Sequence, residues 1–122
     1  MIGQPPAEAK IQVSLQEGVS VAAIEGDMDL HVSANLRERL LRVIDESPAM
    51  VVDLSLVSNI DSSGVASLLE VYQRAHKRKK MFVLAGASVQ VLRVFKMARL
   101  DTIFLLVPTV TEALTKIRNP TH

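Results

Sequence analysis

The spacing of hydrophobic positions changes along the chain, and each change predicts an element. Ile11, Val13 and Leu15 alternate with Gln12, Ser14 and Gln16, the period of two that predicts a strand. Glu17-Gly18 is a turn signal and residues 19–25 are a second apolar run. Together they predict a hairpin that ends at Gly26-Asp27-Met28-Asp29. The period lengthens near Ser33. Leu36, Leu40 and Ile44 recur every four residues beside Leu41 and Val43, while Arg37, Glu38, Arg39 and Arg42 fall largely on other faces, which predicts an amphipathic helix. Ser47-Pro48 stops it, because a residue before proline avoids the helical region.

Residues 49–54 are apolar with little alternation, as expected of a strand covered on both faces. A helix over 62–78 follows, with Val65, Leu68, Leu69 and Tyr72 on one stripe. Residues 81–85 predict another buried strand, followed by Gly86. Ser88 is a candidate cap for a third helix with Val89, Leu92 and Phe95 inward. Residues 103–107 predict the last strand. Thr109 and Glu112 then form a capping-box pattern ahead of Val110, Ala113, Leu114 and Ile117. Residues 1–9, with Gly3, Pro5 and Pro6, read as a loose lead-in, and 119–122 as a frayed tail. The order β-β-α-β-α-β-α-β-α predicts an α/β fold: a mostly parallel sheet flanked by helices, with an antiparallel edge from the hairpin. No repeat or linker interrupts the 122 residues, so 1–122 read as one domain with its core at about 11–117.

Composition narrows the chemistry. Apolar residues make up 48% of the chain, enough for a packed core, but with one Tyr, three Phe and no Trp that core is mainly aliphatic. Fourteen basic against 13 acidic residues give a net charge of +1, which offers no general support for nucleic-acid binding. The absence of cysteine excludes disulfides, thiolate catalysis and Cys-based metal sites, and points to the cytoplasm. No apolar run approaches the roughly 20 residues of a membrane-spanning helix, and no signal-peptide layout opens the chain.

The strongest chemical candidate is Asp61-Ser62-Ser63-Gly64, where the central strand runs into the central helix. Serine hydroxyls there sit among free backbone N–H groups at the positive pole of the helix, a place that accepts a phosphate. The plainer alternative is that one serine caps the helix. Neither serine has an activating base nearby. His31, His76 and His122 match no nucleophile spacing and there is no Gly-x-Ser-x-Gly elbow, so an enzyme is not expected. A phosphoacceptor needs no base of its own, since the kinase supplies it. Asp27 and Asp29 end the second strand and read either as turn residues or as charges near Asp61, because the C-terminal ends of parallel strands share one edge. A metal site of Asp27, Asp29 and Asp61 resembles that of receiver domains, but their pattern is not met, since Asp53 lies inside the apolar run. The basic run His76-Lys77-Arg78-Lys79-Lys80 reads as a solvated helix end. The five glycines are scattered singly, so no phosphate loop, nucleotide or other cofactor is predicted.

Several of these pieces together resemble a bacterial STAS domain of the anti-sigma factor antagonist (anti-anti-sigma) family, over about residues 11–117. Gly26-Asp27-Met28-Asp29 is similar to the family's Gly-Glu-Leu-Asp. Leu36-Arg37-Glu38-Arg39-Leu40 resembles its first helix. Asp53-Leu54-Ser55 through Ile60-Asp61-Ser62-Ser63-Gly64 resembles its Asp-Leu-Ser…Asp-Ser-Ser/Thr-Gly signature, and Val91-Leu92-Arg93-Val94-Phe95 with Leu100 its third helix. The resemblance implies a STAS fold and a regulatory protein with Ser62 as phosphoacceptor, Ser63 being the alternative. It implies a partner-contact set of Asp27, Asp29, Asp61, Ser63 and Gly64. It also implies partner switching in the regulation of transcription. The unphosphorylated form binds an anti-sigma factor that is a serine kinase of the histidine-kinase-like ATPase fold and so releases the sigma factor. Phosphorylation breaks the complex and a metal-dependent serine phosphatase restores it. The alternative role is an accessory subunit of a membrane transport or other signalling complex. Lys79-Lys80 stand where the family usually has Gly-Gly, so the helix end there lacks the residue that best tolerates positive φ.

Overall fold

The computed structural model describes residues 8–120. The first seven residues of the lead-in expected over 1–9 and the last two of the frayed tail expected over 119–122 lie outside the described residues. Nine elements follow the predicted order: β1 (Lys10–Gln16), β2 (Val19–Met28), α1 (Ser33–Glu46), β3 (Ala49–Ile60), α2 (Ser62–Lys77), β4 (Met81–Ala85), α3 (Val89–Met97), β5 (Leu105–Val107) and α4 (Val110–Arg118). The strands form one five-stranded sheet in the order β1-β2-β3-β4-β5, antiparallel at β1·β2 and parallel elsewhere.

The sheet is covered unequally. α1, α2 and α3 bury Leu36, Leu40, Leu68, Val71 and Phe95 against Ala22, Ile24, Val52, Leu54 and Leu84 on one face. On the other face α4 alone sets Ala113 and Leu114 over Val19, Val21, Val51, Val83 and Ala85. Consecutive Val51 and Val52 thus enter different cores, which is why β3 shows no polar alternation there.

Several boundaries differ from those read from the pattern. β2 continues to Met28 and β3 to Ile60, past the ends predicted at residues 25 and 54, so the polar stretch after Leu54 is strand. Two register shifts against β2 accommodate it, at Ala23/Glu25 and Gly26/Met28. Each adds a residue to β3 and re-aims its side chains, so polar Ser55, Ser58 and Asn59 fit a strand without simple alternation. The last strand begins at Leu105, not at residue 103: Ile103 and Phe104 lie in a turn, and buried Phe104 packs on Phe95 with ring centroids 5.3 Å apart. In α3 Val91 and Phe95 face inward, while Val89 is 72% exposed instead of buried. Within the expected lead-in, Ala9 is buried, with its N–H on Asn35 Oδ1 at 2.9 Å.

Helix α2 ends at Lys77 in a Schellman turn. Lys80 N–H donates to the Ala75 carbonyl at 2.8 Å and Lys79 N–H to that of His76 at 3.1 Å. Lys79 takes φ 58° there, the left-handed conformation that the Gly-Gly departure placed in question. Arg99 does the same after α3, at φ 59°.

Candidate functional site

The parallel strands β2 and β3 end side by side, and their last residues start the loops that lead into α1 and α2. The Asp61 amide donates to the Met28 carbonyl at 3.1 Å, tying the two strand ends together. Asp61 then caps α2. Its Oδ1 accepts the backbone N–H of Ser63 at 2.9 Å and of Gly64 at 3.1 Å, and the Ser63 hydroxyl at 2.5 Å. Its Oδ2 accepts the Leu30 N–H at 3.1 Å, across the loop that precedes α1. The cap is therefore the aspartate and not either serine. The extended backbone of Asp61 aims its short carboxylate at the free N–H groups, while Ser62 and Ser63 already lie within the helix. The Ser63 hydroxyl foremost, then the backbone N–H groups of Gly64, Ser63 and Leu30, hold the Asp61 carboxyl below its ordinary value, outweighing partial burial.

The serines consequently differ. Ser63 is half-buried and its hydroxyl is held by Asp61. Ser62 is exposed on the first helical residue, and its hydroxyl has no hydrogen-bond partner among the described residues. Gly64 is buried beneath them. A Cβ there would lie 2.5 Å from the Met28 carbonyl oxygen and 2.8 Å from Ile60 Cγ1. The glycine lets the first turn of α2 press onto the strand ends.

Asp29 stays local: its Oδ1 accepts the His31 N–H at 3.0 Å and its carbonyl those of Val32 and Ser33. Asp27 Oδ1 accepts from Asn59 Nδ2 at 3.2 Å, and Asn59 Oδ1 accepts from Gln90 Nε2 at 2.6 Å. That polar chain carries the site from β2 through β3 to the start of α3. All the predicted site residues thus lie on this one edge of the sheet. Among the described residues, however, no group of three or more His, Asp or Glu side chains is placed to hold a metal ion.

Three residues here, Leu30, Asn59 and Gln90, belong to no predicted stripe or motif, and Val89, expected to face inward, joins them at the surface. Leu30 is 75% exposed beside the Asp61 clamp, and Val89 is exposed at the start of α3 next to Gln90. An apolar residue inside an Asp-Leu-His turn belongs to no periodic stripe, which is the signal that could have found Leu30. Asn59 and Gln90 meet only through the tertiary fold, and nothing in their sequence neighbourhoods marks the pair.

A family model for the STAS domain matches residues 10–113. The chain belongs to the STAS domain family. This STAS domain is 33% identical to anti-sigma-F factor antagonist RsfB of Mycobacterium tuberculosis over 114 residues, 93% of each chain. Its fold superposes on the crystal structure of an anti-sigma factor antagonist from Mycobacterium paratuberculosis with a TM-score of 0.83. The two are 30% identical, with 96% of this chain and 99% of that one covered. The unphosphorylated form of the antagonist SpoIIAA shares the fold at 21% identity and a TM-score of 0.76, over 90% of this chain and 97% of that one. No described helix is long and apolar enough to cross a membrane.

Proposed function

We propose that this STAS domain is an anti-sigma factor antagonist switched at Ser62. The observation that carries the reading is the inequality of the two serines: Ser62 offers an exposed hydroxyl at the N-terminus of α2 with no partner among the described residues, whereas Asp61 holds that of Ser63. The mycobacterial relatives support the antagonist role. The partner is an anti-sigma factor that also phosphorylates the serine, and a serine phosphatase reverses the mark. Asp27, Asp29, Asp61 and Ser63 form the polar part of the contact, with Leu30 and Val89 as apolar anchors at its margins. Gly64 acts from beneath by setting the height of the first turn.

The switch works by surface charge. Phosphate adds about −1.5 to −2 charges at one point. The helix N-terminus tolerates it, because free N–H groups and the dipole favour an anion there. A partner seated against Asp29 and Asp61 then meets a bulky anion added to an acidic edge, and the complex dissociates without refolding. Intact mass and peptide mapping of the protein from its native cells test this. A fraction heavier by about 80 Da, one phosphate, is expected on Ser62, and Ser62→Ala removes it. Phosphate mapped only to Ser63 reassigns the site, and none under any growth condition removes the switch. A large backbone rearrangement on phosphorylation would overturn the charge mechanism.

A further inference from the structure

Among the described residues no strand pairs with the outer edge of β1, and the sequence of that edge is complementary to itself. Glu17 and Gly18 both have positive φ, 54° and 79°, as a two-residue type I′ hairpin requires, which makes Gln16 and Val19 a hydrogen-bonded pair. Alternation along the unbroken β1·β2 register then turns the N–H and C=O groups of Ile11, Val13 and Leu15 outward. The start of that edge is closed: the Arg39 guanidinium reaches from α1 and donates to the carbonyls of Ala9 at 2.7 Å and Ile11 at 3.3 Å. Val13 and Leu15 have no such cover among the described residues, and they are 50% and 73% exposed. Residues 11–16 also lack a charge, a proline or a bulge, the devices that keep edge strands from pairing.

We propose that β1 pairs antiparallel with β1 of a second copy of this chain, about a twofold axis at Ser14. Outward-facing residues must meet outward-facing residues, and apolar side chains must share a face. Val13 opposite Leu15 of the second copy meets both conditions and uses every outward backbone group of the two residues. Setting Val13 opposite Val13 instead demands the Ile11 carbonyl, which Arg39 already occupies. In the chosen register Gln12 faces Gln16 of the second copy and Ser14 faces its own counterpart, a polar ladder able to bond across strands. Lys10 falls beside Glu17 of the second copy at both ends, where Glu17 also holds Arg118 of its own chain at 2.7 Å, so the charges there do not repel. Asp27 lies at the far end of β2 from the hairpin, so the pairing leaves the Ser62 edge free. A contact this short belongs at the low end of interface sizes, so the association depends on concentration.

The chain has no cysteine, so single cysteines report the register. Ser14→Cys places two Cα atoms about 4.5 Å apart across a non-hydrogen-bonded pair, within the span of a disulfide. Gln12→Cys is the control, its two copies being offset by about 13 Å along the strands. Under mild oxidation Ser14→Cys should cross-link at least about tenfold faster than Gln12→Cys. In sedimentation velocity the unmodified protein should rise towards twice the monomer mass between about 10 µM and about 1 mM. Leu15→Lys, at a position exposed enough to spare the fold, should stay monomeric. Equal trapping at both positions, or a Leu15→Lys protein that still dimerises, overturns the proposal. A protein that is monomeric throughout overturns it as well, and leaves the edge to the chain's own N-terminal segment or to a strand of another protein.

Discussion

The two ends of α2 obey different rules. At its N-terminus three residues are fixed by neighbours: the Asp61 carboxylate by four hydrogen bonds, Ser63 by Asp61, and Gly64 by the Met28 carbonyl beneath it. Of these side chains only the Ser62 hydroxyl has no hydrogen-bond partner among the described residues, and it is the one proposed above as phosphoacceptor. At the C-terminus the turn closes with regular Schellman bonds, yet Lys79 occupies the left-handed position and Asp45 of α1 gathers Arg74 and Arg78 at 2.9 Å each. One end is tight and specific; the other accepts a poor local choice and surface ion pairs. Tolerance of that kind marks the end where geometry matters less.

Substitutions at the two ends should separate these regimes. Gly64→Ala has the largest expected effect. The helix-propensity gain of about 1 kcal/mol is outweighed by overpacking of about 3 kcal/mol. A net loss near 2 kcal/mol lowers the melting temperature by about 10 °C, readable by calorimetry. If Gly64→Ala is neutral, the first turn is not pressed onto the strands.

Asp61→Ala should follow, with a loss of about 1–2 kcal/mol as the cap disappears. Its pH dependence sharpens the test. The folded carboxyl is held below its ordinary 3.8, so its stabilisation is complete above that value and is lost as pH falls through the lower folded value. Denaturant titrations should show that acid-side decline in the parent and a weaker one in Asp61→Asn, which keeps an acceptor but no charge.

At the other end Lys79→Gly should stabilise. Relief of the left-handed strain, about 1–2 kcal/mol, is partly offset by the freedom of glycine in the unfolded chain, leaving about 0.5–1 kcal/mol. Arg99→Gly should behave alike. Asp45→Ala is expected to have the smallest effect, about 0.5 kcal/mol, because both ion pairs are one third to one half exposed. High salt should erase it.

Much of the fold was legible because its periods are strong: the four-residue repeat from Leu36 to Ile44 and the unbroken apolar run in β3 allow few other arrangements. The end of β3 was not, since bulges destroy the alternation by which strands are recognised, and Ser58-Asn59 looks like a loop. At the site, the Asp-Ser-Ser-Gly element exposed the place but not the division of labour within it. Asp and Ser are equally good caps on paper, and only the extended backbone at Asp61 decides between them. The chain from Asp27 through Asn59 to Gln90 joins three elements and leaves no local trace.

The second face of the sheet rests on α4 alone, and this sets a timetable for biosynthesis. The four longer strands are complete once Ala85 has been made, but Leu114, which lies over them, comes 29 residues later. At ordinary rates of chain elongation that interval lasts roughly 1.5–6 s. During it Val19, Val21, Val51 and Val83 lack the helix that covers them among the described residues. A ribosome paused in that window holds a half-dressed sheet, and a chaperone that reads exposed valine should find this nascent chain there and lose it when α4 docks.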